Sequence, residues 1–214
     1  MVADEAVQPR VRVRWAAVVG LTCVSALIWL VRAQLVGPRL NFLWWNLLLA
    51  WVPWVLSAWL ARPRNALVTV LLGATWFVFF PNAPYLVTDL VHLKERPPVP
   101  LHVDLMLYAS FALTGLALGW TSLDVVRQRL EARWGRLAAG LLIALYVGAT
   151  GFGVYLGRFL RWNSWDVVAN PGALLLDARV ALVDLHALSF SAAFAGLVGA
   201  GYLLVAERAP PRRA

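Results

Sequence analysis

The chain has 214 residues, 61% of them hydrophobic and 14% charged, with a mean hydropathy of +0.70 and a net charge of +8. A water-soluble domain carries about a quarter of its residues as charges, so this composition excludes one and points to a membrane protein. Twelve tryptophans suit a protein with two headgroup interfaces at which indoles settle. The single Cys23 permits neither a disulfide framework nor a cysteine-based zinc site. P-loop, zincin, nucleophile-elbow and dinucleotide-binding signatures are absent from the sequence. The arginines stand in short clusters between apolar runs, so they read as topology signals and not as a nucleic-acid surface. No nucleic-acid partner, no cofactor and no metal is expected.

Six membrane segments are expected, each of about 20 apolar residues, as an all-α polytopic transmembrane bundle of six helices with a short amphipathic outer helix. Residues 1–14 form a tail; Trp15 follows with no cleavage site of the small-residue type, so the first segment, Trp15 to Val31, is read as a retained helix. Arg32 ends it, where a long stem can snorkel to the headgroups. The second runs from Asn41 to Leu60 with Pro53 as a kink, and the third from Pro63 to Phe80, with Pro63 and Asn65 inside its first turn. The fourth covers Val103 to Leu123, the fifth Leu137 to Leu160 and the sixth Val180 to Ala206. With residues 207–214 as a second tail, 15–206 make one transmembrane domain.

Twelve of the 19 Lys and Arg residues fall on the side that holds both tails, which assigns that side to the cytoplasm of a bacterial inner membrane. The other side carries six of the acidic residues and all three histidines, His92, His102 and His186. Polar chemistry is therefore concentrated on the extracytoplasmic face.

Two segments on that face stand out. In residues 81–93, PNAPYLVTDLVHL, Asn82 is placed to cap a short helix with Pro84 in its first turn, and Tyr85, Thr88, Asp89 and His92 form one polar stripe. That helix either lies at the interface or re-enters the bundle. In residues 157–166, GRFLRWNSWD, continued helix would put Arg158, Arg161, Trp162 and Trp165 on one face, with two guanidinium forks suited to carboxylate or phosphate. Asn163 and Asp166 complete the densest polar group on this side. These two segments, with the tryptophan-rich second span, resemble the bacterial inner-membrane family catalogued as domain of unknown function 1361. The resemblance implies a membrane location and transfers no activity.

Each polar residue also has a structural role open to it. Asp104, Asp177 and Asp184 stand where helix N-termini favour carboxylates, Arg158 and Arg161 where C-termini favour cations, and Trp162 and Trp165 where belt anchors sit. Gly115/Gly119 and Gly153/Gly157 have the spacing that lets helices pack closely, and the fourth and fifth spans are expected to meet there. The polar stripe is expected to face Arg158 or Arg161, pairing Asp89 with an arginine and His92 with Asp166. Asp89 and His92 are then the candidate acid–base pair, and Tyr85, Thr88, Arg158, Arg161, Asn163 and Asp166 the candidate binding residues. A metal held by Asp89 and His92 with His102 or His186 finds no supporting ligand spacing. Three functions fit: binding or processing an anionic or lipid-linked substrate in the bilayer; a non-catalytic assembly partner of another membrane protein; and a transporter component.

Overall fold

The computed structural model describes residues 8–62 and 65–206, and within them there are helices and no strands. Eight α-helices are α1 (Gln8–Val36), α2 (Phe42–Leu60), α3 (Ala66–Phe79), α4 (Asn82–Tyr85), α5 (Leu101–Phe159), α6 (Asp166–Ala169), α7 (Pro171–Ala181) and α8 (Leu185–Val205). A 3₁₀ helix, Leu86–His92, follows α4 directly. Five stretches are long and apolar enough to cross a membrane. One of them, the 59-residue α5, breaks at Gly135, whose φ of 81° and ψ of 168° are not helical. A side chain is disfavoured at that φ and glycine is not, so α5 is two arms, 101–134 and 136–159, and the crossings number six as the sequence led us to expect.

Helix α5 is the centre of the bundle and packs against α1, α2, α4, the 3₁₀ helix and α8. On α2 the buried residues Leu43, Leu47, Ala50, Trp54 and Ser57 recur at three- and four-residue steps and form the stripe a helix turns toward its neighbours. Polar side chains join the helices at depth, where hydrogen bonds have no water to compete with. Trp76 Nε1 donates to Ser122 Oγ at 2.7 Å, Ser122 donates to the Pro53 carbonyl at 3.0 Å, and Ser25 and Thr114 share a hydrogen bond at 3.1 Å. Helix α8 approaches α5 at Gly151, where a Cβ would come within 2.1 Å of the Ser191 carbonyl oxygen.

Helix boundaries depart from the sequence reading in three places. Helix α3 starts at Ala66 with Asn65 as its N-cap, the Asn65 side chain accepting from Val68 N at 2.8 Å, and Pro63 lies outside the described residues. The last crossing begins at Leu185 and not at Val180, because Asp184 caps it by accepting from His186 N at 3.0 Å. Val180 belongs instead to α7, a separate helix opened by Pro171. Helix α1 reaches back to Gln8, upstream of Trp15.

Residues 81–92 take the second of the two placements open to them, and it shapes the site. Ala83, Pro84, Leu86 and Asp89 are buried against α2 and α5, and only the end of the segment, Val91 and His92, is exposed. With α3 they make one interrupted crossing over Ala66–His92. Pro81 lacks an N–H, and the turn at Phe80 leaves the carbonyls of residues 77–79 without their helical donors. All three are met by side chains: Phe77 by the Tyr146 hydroxyl at 2.6 Å, Val78 by Ser164 Oγ at 3.2 Å and Phe79 by Asn82 Nδ2 at 2.8 Å. Asn82 thus serves this break and does not cap α4, whose N-cap position is Pro81.

Both glycine pairs receive this interrupted segment and not each other. A Cβ at Gly115 would lie 2.4 Å from the Ala83 carbonyl oxygen, and one at Gly119 3.4 Å from the Ala83 Cβ. Gly153 faces Pro81 and Gly157 faces the Tyr85 ring, at 3.1 and 3.4 Å from where a Cβ would stand. The expected contact between the fourth and fifth spans at these glycines is therefore replaced by a cradle in which the two arms of α5 hold α4.

Candidate functional site

A 3₁₀ helix turns about 120° per residue, so Leu86, Asp89 and His92 project from one row. Leu86 anchors the row in the core and Asp89 is 1% exposed, while His92 reaches the surface. The Asp89 carboxylate accepts from Asn46 Nδ2 at 2.8 Å, and Arg158 Nη1 stands 3.6 Å from its other oxygen. Arg158 also contacts His92 Nε2 at 3.0 Å, and the His92 ring packs edge-on against Phe42. A buried carboxylate without such partners is costly enough that it would take up a proton. Asn46 and Arg158 are what let it sit there.

A second carboxylate lies at the same end of the bundle. Asp104, in the first turn of α5, accepts from Arg32 Nε at 2.5 Å and from Arg96 Nη1 at 3.1 Å. Arg96 Nη2 donates to the His92 carbonyl at 2.7 Å, which joins this group to the first. Arg32 does not snorkel: it is 1% exposed, drawn inward by the buried Asp104. Its Nη1 and the Tyr108 hydroxyl are buried without a hydrogen-bonding partner among the described residues.

Of the residues singled out from sequence, Asp89, His92 and Arg158 are brought together. Tyr85 lies beside them against Gly157, and the Thr88 hydroxyl turns back to the Tyr85 carbonyl at 2.7 Å. Asp166 does not pair with His92. It is used locally, accepting from the Asn163 N–H at 2.8 Å and its side-chain amide at 3.2 Å, and the Asn163 N–H holds its carboxyl below the usual carboxylate range. The helical face expected for Arg158, Arg161, Trp162 and Trp165 does not form, since α5 stops at Phe159 and Arg161 takes a φ of 62°. Trp162 donates to Asp177 Oδ2 at 3.0 Å, so it braces α7. Asp177 accepts that bond from within α7, and Asp184 caps α8.

A cleft of about 500 Å³ opens between α2, the break after α3, the 136–159 arm of α5 and the chain that follows it. Its walls are mainly apolar, including Phe77, Phe152 and Leu156, and its polar lining comprises Asn46, Asn82, Tyr85, Arg161, Asn163 and Ser164. Asn46 is shared: it lines the cleft and holds Asp89. Arg161 is exposed and has no carboxylate partner among the described residues. An αL backbone costs a non-glycine residue about 1–2 kcal/mol, and such strain collects at functional positions.

Sequence reasoning missed Asn46, Arg96 and Ser164, and gave Arg32 and Asn82 other roles. Asn46 is the one with a signal, an amide in an otherwise apolar run of α2. The His, Asp and Glu residues do not gather as a metal site among the described residues.

Comparison with protein-family models matches residues 45–200 to the family described as protein of unknown function (DUF1361). Neither a curated protein nor a solved structure matches the chain.

Proposed function

This chain belongs to the DUF1361 family of proteins of unknown function, and from that premise we propose that it binds an amphiphile with an anionic headgroup at the extracytoplasmic face of the bacterial inner membrane. The observation that carries the reading is the cleft: apolar walls beneath a polar rim, with Arg161 at the rim as a cation that no carboxylate of the described chain neutralises. A cleft of about 500 Å³ falls in the range of small-molecule sites. The excess of Lys and Arg on the side of both tails supports placing the rim outside and the tails in the cytoplasm. Asp89, Arg158 and His92 stand behind the wall that Asn46 and Tyr85 provide, and they are the groups from which acid–base chemistry on a bound headgroup would come.

The test is lipid binding by the intact protein, read by native mass spectrometry and by thermal stability with added lipid. Phosphatidylglycerol is expected to bind more tightly than phosphatidylcholine, and Arg161→Gln to remove most of the difference. Equal binding of the two lipids by the unaltered protein would overturn the proposal and favour the assembly-partner reading.

A further inference from the structure

The polar lining of the cleft is largely committed as donors. Both amide hydrogens of Asn82 are used, on the Phe79 carbonyl and on Ser164 Oγ, each at 2.8 Å. Ser164 passes its own hydrogen to the Val78 carbonyl at 3.2 Å. Tyr146 and Thr150, also in the lining, give theirs to the carbonyls of Phe77 and Tyr146 at 2.6 and 2.9 Å. Trp162 is spent on Asp177, and Asn46 and Asn163 each donate to a carboxylate.

The orientation of these amides is set by their partners. A carbonyl and a carboxylate only accept, so Asn82 must turn its NH₂ to Phe79 and Asn46 its NH₂ to Asp89. The side-chain oxygens of Asn46, Asn82 and Asn163 are then left over, and none receives a hydrogen bond among the described residues. Each such oxygen has two lone pairs to fill. What remains unmatched among the lining residues is therefore three amide oxygens as acceptors, together with the Arg161 cation, the second amide hydrogens of Asn46 and Asn163, the Tyr85 hydroxyl and the Trp45 indole N–H as donors.

We infer that the ligand of this cleft carries hydroxyl groups next to its anionic group: a polyol phosphate headgroup on a lipid tail, with the phosphate at Arg161 and the hydroxyls donating to Asn46 and Asn82. This rests on the amphiphile reading above and narrows it. A phosphate alone offers only acceptors and leaves the three amide oxygens unmet, whereas a glycerol or sugar ring offers donors to those oxygens and acceptors to the remaining donors. The saturated face of a polyol also packs well on aromatic rings, which a second charge would not.

The experiment compares three lipids with the same phosphodiester charge on the unaltered, full-length protein in detergent. Phosphatidylmethanol has no headgroup hydroxyl, phosphatidylglycerol has two on an open chain, and phosphatidylinositol has a ring of them. Two hydrogen bonds of ordinary worth correspond to roughly a tenfold change in affinity, so both hydroxylated lipids are expected to bind about tenfold more tightly than phosphatidylmethanol. Tighter binding of phosphatidylinositol than of phosphatidylglycerol would identify the headgroup as a ring polyol, and the reverse order as an open-chain one. Equal affinity for all three, with phosphatidylcholine still weaker, would overturn this inference while leaving the anionic-amphiphile reading in place. Because the lipid series needs no substitution, no variant's folding decides the result.

Discussion

Replacing Gly115 by alanine tests whether the glycine pairs cradle the interrupted segment. Two effects oppose one another. Alanine favours a helix interior over glycine by about 1 kcal/mol. Against this, the new Cβ would stand 2.4 Å from the Ala83 carbonyl oxygen and 3.1 Å from the Leu86 Cβ. That oxygen is backbone in a segment held by Pro81 and Pro84, so no rotamer change relieves the contact. Overpacking of this kind costs about 1–3 kcal/mol, and the absence of a side-chain escape places Gly115 at the upper end. A net loss of about 1–2 kcal/mol follows, which for a chain of this size lowers Tm by roughly 2–8 °C. Gly148 is the matched control: it lies in the other arm of α5 with nothing within 4 Å of its added Cβ. Gly148→Ala is expected to raise Tm by about 2–4 °C. Thermal unfolding of both variants in one detergent, followed by intrinsic tryptophan fluorescence, should give shifts of opposite sign. Shifts of the same sign and size would refute the cradle.

In a double-mutant cycle read by thermal stability, Asp89→Ala and Arg158→Ala should be less than additive, since each alone strands the other's charge, whereas Asp89→Ala and Arg161→Ala should be additive within about 0.5 kcal/mol. Arg32→Met and Asp104→Asn should each cost about 3–5 kcal/mol, as expected when one partner of a buried ion pair is removed; the double variant Arg32→Met/Asp104→Leu should be more stable than either, and a variant less stable than both would count against the pair. Asp166 is held below its unfolded value by the Asn163 N–H, so its ionised form adds stability above that unfolded value, near about pH 4, and the contribution is lost as pH falls through the lower folded value. The Tm gap between the protein and Asp166→Asn should thus be constant near neutrality and close below about pH 4. Alkaline phosphatase fused after Arg96 should be active and a fusion after Arg133 inactive; the opposite pattern would invert the proposed orientation.

The crossings were legible because a run of about 20 apolar residues has few alternatives to a membrane helix. Glycine spacing told that something comes close to α5, but not what: a small-residue pair looks the same whether a helix or a broken segment fills it. Arg32 was misread for a related reason. From its position at a helix end snorkelling is open to it, and the carboxylate that draws it inward lies 72 residues further along the chain. The end of α7, Val180 and Ala181, was merged into the last crossing because the apolar run from Val180 to Val183 adjoins it; Asp184, read as a charge near a helix N-terminus, is the residue at which the crossing starts. The polar stripe of residues 85–92 was visible, while its geometry was not, since Asp89 and His92 share a face at both the α and the 3₁₀ repeat.

The three carbonyls freed at the break after α3 set an order of events in the making of the protein. Asn82 is already at hand, but the Tyr146 hydroxyl lies 69 residues and Ser164 Oγ 86 residues after the carbonyls they satisfy. A ribosome delivers those residues seconds after residues 77–92 have left it, at about 5–20 residues per second. A backbone carbonyl left in hydrocarbon is strongly disfavoured, so the interrupted crossing cannot settle when it first emerges. It has to wait in the translocon, in the headgroup layer or with a chaperone until the second arm of α5 arrives to close over it. Maturation of this protein is therefore gated by its own later half, and truncations that end before residue 146 should be cleared by membrane proteases even though they contain three complete hydrophobic segments and the first arm of α5.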